Sequence, residues 1–259
     1  MRFTLLALAA LLAPGGSNQN IPPPRPLTVS AAVSLTDALT AIAADYAGAG
    51  LGTVRFNFAA SNVLARQIVN GAPVDVFISA DAAQMDVVQQ AGLIQPGSRF
   101  DLLGNQLAFV VPSDRPRTFT SVRDIADAAF KRIAIGDPDA VPAGVYARQY
   151  LQQEGLWTAV ERRIVPAVSV RAALAAVESG AADAAIVYRT DARVALRATV
   201  AWVVPANRGP RIVYPAAIVR SAAGMEAARF LDYLRGAAAA RIFERAGFST
   251  VPRPAGRGH

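Results

Sequence analysis

Apolar positions in the first 112 residues alternate between two spacings. Leu27-Thr28-Val29-Ser30-Ala31-Ala32 is a short run of β-branched and small residues. Leu35, Leu39, Ile42, Ala43 and Tyr46 then recur at the spacing of one helix face. Val54-Arg55-Phe56-Asn57-Phe58 alternates as a strand does, and Leu64, Ile68 and Val69 mark a helix that stops at Gly71. Val74 to Ile78 reads as a third strand and Ala83 to Ala91 as a third helix. This βαβαβα order is the pattern of a doubly wound sheet. Leu107 to Pro112 is an apolar strand that leaves it.

A second series follows. Arg132 to Ile135, Ile164 to Pro166 and Ala184 to Tyr188 read as strands, with helices over Val145 to Gln153 and Val170 to Ser179. Val200 to Val204 and Ile212 to Val219 are further strands, the second with Pro215 inside it. Ala227 to Leu234 and Ala237 to Ala246 close the series as helices. Two α/β units joined by extended strands imply two lobes with two chain crossings, near Leu107–Pro112 and Val204–Pro215. The first lobe is then discontinuous, 27–107 plus 216–250, and the second is 108–215. A cleft between lobes is a common place for a small ligand.

The ends are different. Arg2 precedes an apolar stretch from Phe3 to Ala13, then Pro14-Gly15-Gly16-Ser17 and a Pro-rich run to Pro26. Residues 1–26 therefore read as a signal peptide and linker, too short in apolar length to span a bilayer. Residues 251–259 read as a disordered tail. An exported, soluble, periplasmic protein is the expectation.

Composition narrows the chemistry. The 259 residues contain no Cys and one His, the last residue, His259. Disulfides, thiolate metal sites, Fe–S clusters and a Cys nucleophile are excluded, and a His-based triad or metal site is disfavoured. The net charge of +7 comes almost wholly from Arg, with Lys131 the one lysine. These arginines are scattered, without the aromatic-interleaved basic run of a nucleic-acid site, so no nucleic-acid partner is expected. Asp75, Asp81, Asp137 and Asp139 sit where carboxylates cap helices and fix turns, a structural role that outweighs a metal site. Arg66 and Arg171, one turn into their helices, are expected at the surface or in electrostatic support of the cleft.

Several strand ends run straight into helix starts rich in small and hydroxyl residues. These are Val33-Ser34-Leu35-Thr36-Asp37, Ala59-Ala60-Ser61-Asn62-Val63, Val141-Pro142-Ala143-Gly144-Val145 and Val168-Ser169-Val170-Arg171. In an α/β sheet such turns lie at the carboxyl ends of strands, where ligands bind. Each helix start presents free N–H groups and a partial positive charge, and several aimed at one point make an anion site. Ser34 and Ser61 can add hydroxyl donors and Tyr188 a phenol.

The same segments carry a family resemblance. Ala31-Ala32-Val33-Ser34-Leu35-Thr36-Asp37-Ala38 resembles the opening of the periplasmic molybdate-binding proteins of ABC transporters. So do Phe58-Ala59-Ala60-Ser61, Gly71-Ala72-Pro73-Val74-Asp75-Val76-Phe77-Ile78-Ser79-Ala80-Asp81 and Gly136-Asp137-Pro138 with Val141-Pro142-Ala143-Gly144. Val170-Arg171-Ala172-Ala173-Leu174, Ile186-Val187-Tyr188 and Tyr214 to Val219 continue the match in order, over roughly 27–250. The resemblance implies an α/β type II periplasmic-binding-protein fold, two lobes with a ligand cleft between them, closing on a tetrahedral oxyanion.

Its implied molybdate contacts are the side chains of Ser34, Ser61 and Tyr188 and the backbone N–H groups of Ala143 and Val170. Where the family often carries a run of serines, this chain reads Ala60-Ser61-Asn62. A shift of one residue would make Asn62 the side-chain donor. Implied too are tungstate as a second ligand, an ABC-transporter permease as partner, a monomer, no cofactor, no metal-cation ligands and no enzymatic activity. The alternatives are a receptor for sulfate or phosphate, an enzyme on the same bilobed fold, and a regulatory effector-binding domain. The last would need a DNA-binding module, and no segment reads as one.

Overall fold

The computed structural model describes residues 25–220 and 224–251. Residues 1–24 and 252–259, most of the segments read as signal peptide with linker and as tail, lie outside the described residues, as do 221–223. The first series is β1 (Leu27–Ala32), α1 (Thr36–Gly48), β2 (Val54–Ala59), α2 (Ser61–Val69), β3 (Val76–Ile78), α3 (Ala82–Gln90) and β4 (Phe100–Asn105). The second is β5 (Leu107–Pro112), β6 (Ile133–Gly136), α4 (Pro142–Gln153), α5 (Trp157–Val160), β7 (Ile164–Ala167), α6 (Val170–Glu178), β8 (Ala184–Tyr188), α7 (Arg189–Arg193) and β9 (Ala198–Val203). The chain then returns through β10 (Ile212–Ile218), α8 (Gly224–Leu234), α9 (Ala237–Ala246) and β11 (Ser249–Thr250).

These strands make two sheets, ordered β11-β4-β10-β3-β1-β2 and β7-β6-β8-β5-β9. In the first, β1 runs parallel to β2 and β3, while β10 is antiparallel to β3 and β4. In the second, β6 runs parallel to β7 and β8, and β5 is antiparallel to β8 and β9. β1 and β8 are inner strands covered on both faces, so burial runs along them almost unbroken rather than alternating. β2 is an edge strand and alternates, with Arg55 and Asn57 exposed.

The chain crosses between sheets at Gln106 and again between Val203 and Ile212. The second crossing corrects the expected boundary at 216. Ile212, Val213 and Tyr214 pair with Asn105, Gly104 and Leu103, which places 212–215 with the first sheet. The first boundary moves by one residue, since Leu107 already pairs with Tyr188. Pro215 has no N–H to donate, and the register shifts between Tyr214 and Pro215. The ordered fold also begins before Leu27. Arg25 forms a two-pronged ion pair with Asp75 at 3.1 and 2.8 Å, inside the segment read as linker.

Candidate functional site

The carboxyl ends of β1, β2, β6, β7 and β8 carry the turns singled out from the sequence. β1 passes through a 3-10 turn, Val33–Leu35, into α1, and Ser34 in that turn is buried. β2 ends at Ala59, two residues before Ser61, the first residue of α2. β6 leads through Val141 into α4, β7 through Ser169 into α6, and Tyr188 ends β8. Ser34, Ser61, Ala143, Val170 and Tyr188 all line one small pocket between the two sheets. Asn62 and Arg66 lie outside that lining, and Arg66 is exposed.

Local packing explains how backbone and hydroxyl donors reach the cavity. The Ala80 N–H donates to Ser61 Oγ at 2.9 Å, which leaves the Ser61 proton to be donated elsewhere. Gly136 and Gly144 let the first turn of α4 sit against the end of β6. A Cβ on Gly144 would lie 1.9 Å from the Gly136 carbonyl oxygen. That close approach holds Ala143 at the pocket wall. No side chain caps α2 or α4, so their first N–H groups remain available. At α6, Ser169 Oγ accepts the Ala172 N–H at 3.2 Å and leaves the earlier Val170 N–H uncapped. α3 differs, because the Asp81 carboxylate caps it by accepting the Gln84 N–H at 2.9 Å.

The electrostatics favour an anion without supplying a cation. No charged side chain lines the cavity among the described residues. The Tyr188 hydroxyl is wholly buried and has no hydrogen-bond partner among the described residues. Burial pushes this phenol well above its ordinary range, so it keeps its proton. Ser34 Oγ lies 3.0 Å from Tyr214 Oη, which also accepts from Asn105 Nδ2 at 3.1 Å.

Arg171 sits beside the cavity rather than in it. Its Nη2 donates to Asp37 Oδ2 in α1 at 2.6 Å, and its Nε donates to Asp191 Oδ1 in α7. The guanidinium therefore ties the second lobe to the first across the cleft. Burial pushes the Asp191 carboxyl up to about 6, against the pull of Arg171.

The other carboxylates serve local structure. Asp75 accepts from Arg25 and from the Thr28 N–H, Asp137 from the Asp139 N–H, and Asp139 pairs with Arg148. Among the described residues no group of three or more His, Cys, Asp or Glu side chains is placed to hold a metal ion. The contacts that Tyr214, Asn105, Asp37 and Asp191 make escaped the sequence reading, which met Asp37 and Tyr214 only as members of their segments. Their partners are 180, 109, 134 and 20 residues away, and no local spacing marks them.

Comparison with known proteins gives a consistent picture. Residues 27–249 match the family of bacterial extracellular solute-binding proteins. The molybdate-binding protein ModA of Escherichia coli is 39% identical over 232 residues, covering 86% of this chain and 88% of that protein. Its namesake in Haemophilus influenzae is 36% identical over 230 residues, covering 86% and 89%. The solved periplasmic molybdate-binding protein of Azotobacter vinelandii superposes with a TM-score of 0.79 at 30% identity, over 88% of this chain and 100% of that one.

Proposed function

The chain belongs to the family of bacterial extracellular solute-binding proteins, and on that premise we propose that it captures molybdate and delivers it to the membrane permease of an ABC transporter. Tungstate, nearly the same in size and charge, is the expected second ligand. Export beyond the cytoplasmic membrane accords with the apolar stretch from Phe3 to Ala13. Among the described residues no helix is long and apolar enough to cross a membrane.

One observation carries the reading. A small pocket between two lobes is bordered by neutral donors and by uncapped helix starts, with no charged side chain among its described lining residues. An oxyanion held there loses its water, so its oxygens must meet donors from the protein. Ser34, Ser61 and Tyr188 would supply hydroxyl protons, and Ala143 and Val170 backbone N–H groups. Helix dipoles add partial positive charge at the same point. A donor-rich wall disfavours an oxyanion that still carries a proton, because its O–H finds few acceptors. Size then separates molybdate from sulfate, whose shorter bonds leave donors out of reach.

The ligand contacts both lobes, so binding stabilises the closed arrangement. The chemistry is capture rather than catalysis. Ser34 is bonded to a phenol, not to a general base, and no carboxylate or imidazole lines the cavity.

The test is thermal unfolding of the exported portion, alone and with molybdate, tungstate, sulfate or phosphate. At about 1,000 times the dissociation constant a ligand stabilises by about 4 kcal/mol. Stabilisation by molybdate and tungstate, with little from sulfate and phosphate, is the expected result. A larger shift with sulfate would make the protein a sulfate receptor, and no shift with any oxyanion would overturn the reading.

A further inference from the structure

We propose that Asn105 and Tyr214 are positioning residues, forming a directional hydrogen-bond relay that turns the Ser34 proton into the cavity. The inference rests on the oxyanion reading of the same site. Ser34 Oγ and Tyr214 Oη are 3.0 Å apart and both groups are buried, but that contact alone leaves the donor undecided. The direction is set one step further away.

Asn105 Oδ1 accepts the Gln106 N–H at 2.9 Å, which fixes which way the amide faces. Its Nδ2 then meets Thr190 Oγ1 at 2.9 Å and Tyr214 Oη at 3.1 Å. An amide nitrogen only donates, and it has one hydrogen for each of these oxygens. Tyr214 Oη is therefore an acceptor from Asn105, and Ser34 Oγ is the partner left for its single proton. Burial keeps that phenol protonated at any working pH. Ser34 Oγ accepts, so its own proton is directed to the cavity that it lines. Reversing the relay would turn Ser34 lone pairs toward an anion. Each bond in such a chain also polarises the next.

The placement of the relay supports a role in binding rather than in packing alone. Asn105 is the last residue of β4, directly before the first chain crossing. Tyr214 sits at the register shift ahead of Pro215. Thr190 belongs to the second lobe, two residues beyond Tyr188. The amide that orients Ser34 is thus held by groups from both lobes.

The test is a double-mutant cycle on molybdate affinity, measured by calorimetry on the full exported protein. Ser34→Ala should weaken binding about 10- to 100-fold, as for loss of a hydrogen bond to a charged group. Tyr214→Phe should weaken it about 3- to 10-fold, and Asn105→Ala by about 3-fold, because Tyr214 then retains its proton but loses its bias. In the Ser34→Ala background both effects should shrink to within about twofold. A merely structural role would instead cost the same factor with or without Ser34.

Thermal melts of the ligand-free variants establish that they fold. Should Tyr214→Phe not fold, the Asn105→Ala pair completes the same cycle. Equal factors in both backgrounds, or wild-type affinity in both Tyr214→Phe and Asn105→Ala, would overturn the relay. A wild-type protein that binds no molybdate would overturn the functional reading instead.

Discussion

Replacing Tyr188 by Phe removes one oxygen and keeps the ring. That ring is buried and packs at a tilted angle against Tyr214, with centroids 5.8 Å apart, and these contacts survive the change. The hydroxyl has no hydrogen-bond partner among the described residues. Its removal takes no bond from the ligand-free fold and relieves a buried unsatisfied donor. Stability without ligand should stay level or rise, by up to about 1 kcal/mol. In the proposed complex the same hydroxyl would donate to a charged oxygen, an interaction of about 1.5–3 kcal/mol. The molybdate dissociation constant should therefore rise about 10- to 100-fold. Calorimetric titration gives the affinity and a thermal melt without ligand gives the stability. Unchanged affinity would remove Tyr188 from the ligand shell. A melting temperature lowered by several degrees would show that the hydroxyl serves the fold.

Three further changes probe the parts around the ligand. Gly144→Ala gains about 1 kcal/mol of helix propensity, but its Cβ would lie 1.9 Å from the Gly136 carbonyl oxygen, and overpacking of about 1–3 kcal/mol or more should win. A lower melting temperature and weaker molybdate binding are expected, and a stabilised protein with full affinity would contradict the packing argument. Asp37→Asn loosens the cross-cleft contact to Arg171; because Asp37 is half exposed, molybdate affinity should fall only about 1.5- to 5-fold. Ligand-free stability should hold, and an effect that persists undiminished in 1 M salt would speak against an ion pair. Asp191 binds its proton more tightly in the folded state, its carboxyl being pushed up to about 6 by burial. Its stabilising contribution is thus complete below about pH 4 and is lost as pH rises through about 6. Asp191→Asn should flatten that part of the stability-against-pH curve, and an unaltered slope would refute the assignment.

How much could be read in advance depended on where the information lies along the chain. Leu27–Ala32, Leu107–Pro112, Ala184–Tyr188 and Ala237–Ala246 take the bounds that their apolar patterns predict. β4 escaped because Asp101, Gly104 and Asn105 interrupt its pattern, and its strand character comes from pairing with β10 and β11. Gly104 is there to admit Ser249, whose Oγ would lie 2.6 Å from a Cβ at that position. α4 starts at Pro142, three residues before the apolar spacing becomes visible, because proline suits a first helical turn.

The residues at strand ends were legible one by one, since hydroxyls and small residues before helices form a local signal. That Ser34, Ser61, Ala143, Val170 and Tyr188 border one cavity is a property of two sheets facing each other. The groups behind them were not legible. Tyr214 reaches Ser34 across 180 residues and Arg171 reaches Asp37 across 134, through contacts that only the tertiary fold creates.

The most direct test of the account is a crystal structure of the protein grown with molybdate, with anomalous scattering used to locate the metal. The account predicts one molybdenum in the cavity between the sheets, its oxygens within hydrogen-bond distance of the Ser34, Ser61 and Tyr188 hydroxyls and the Ala143 and Val170 N–H groups. Molybdenum held at another place on the chain, or in that cavity but against side chains other than these, would contradict it.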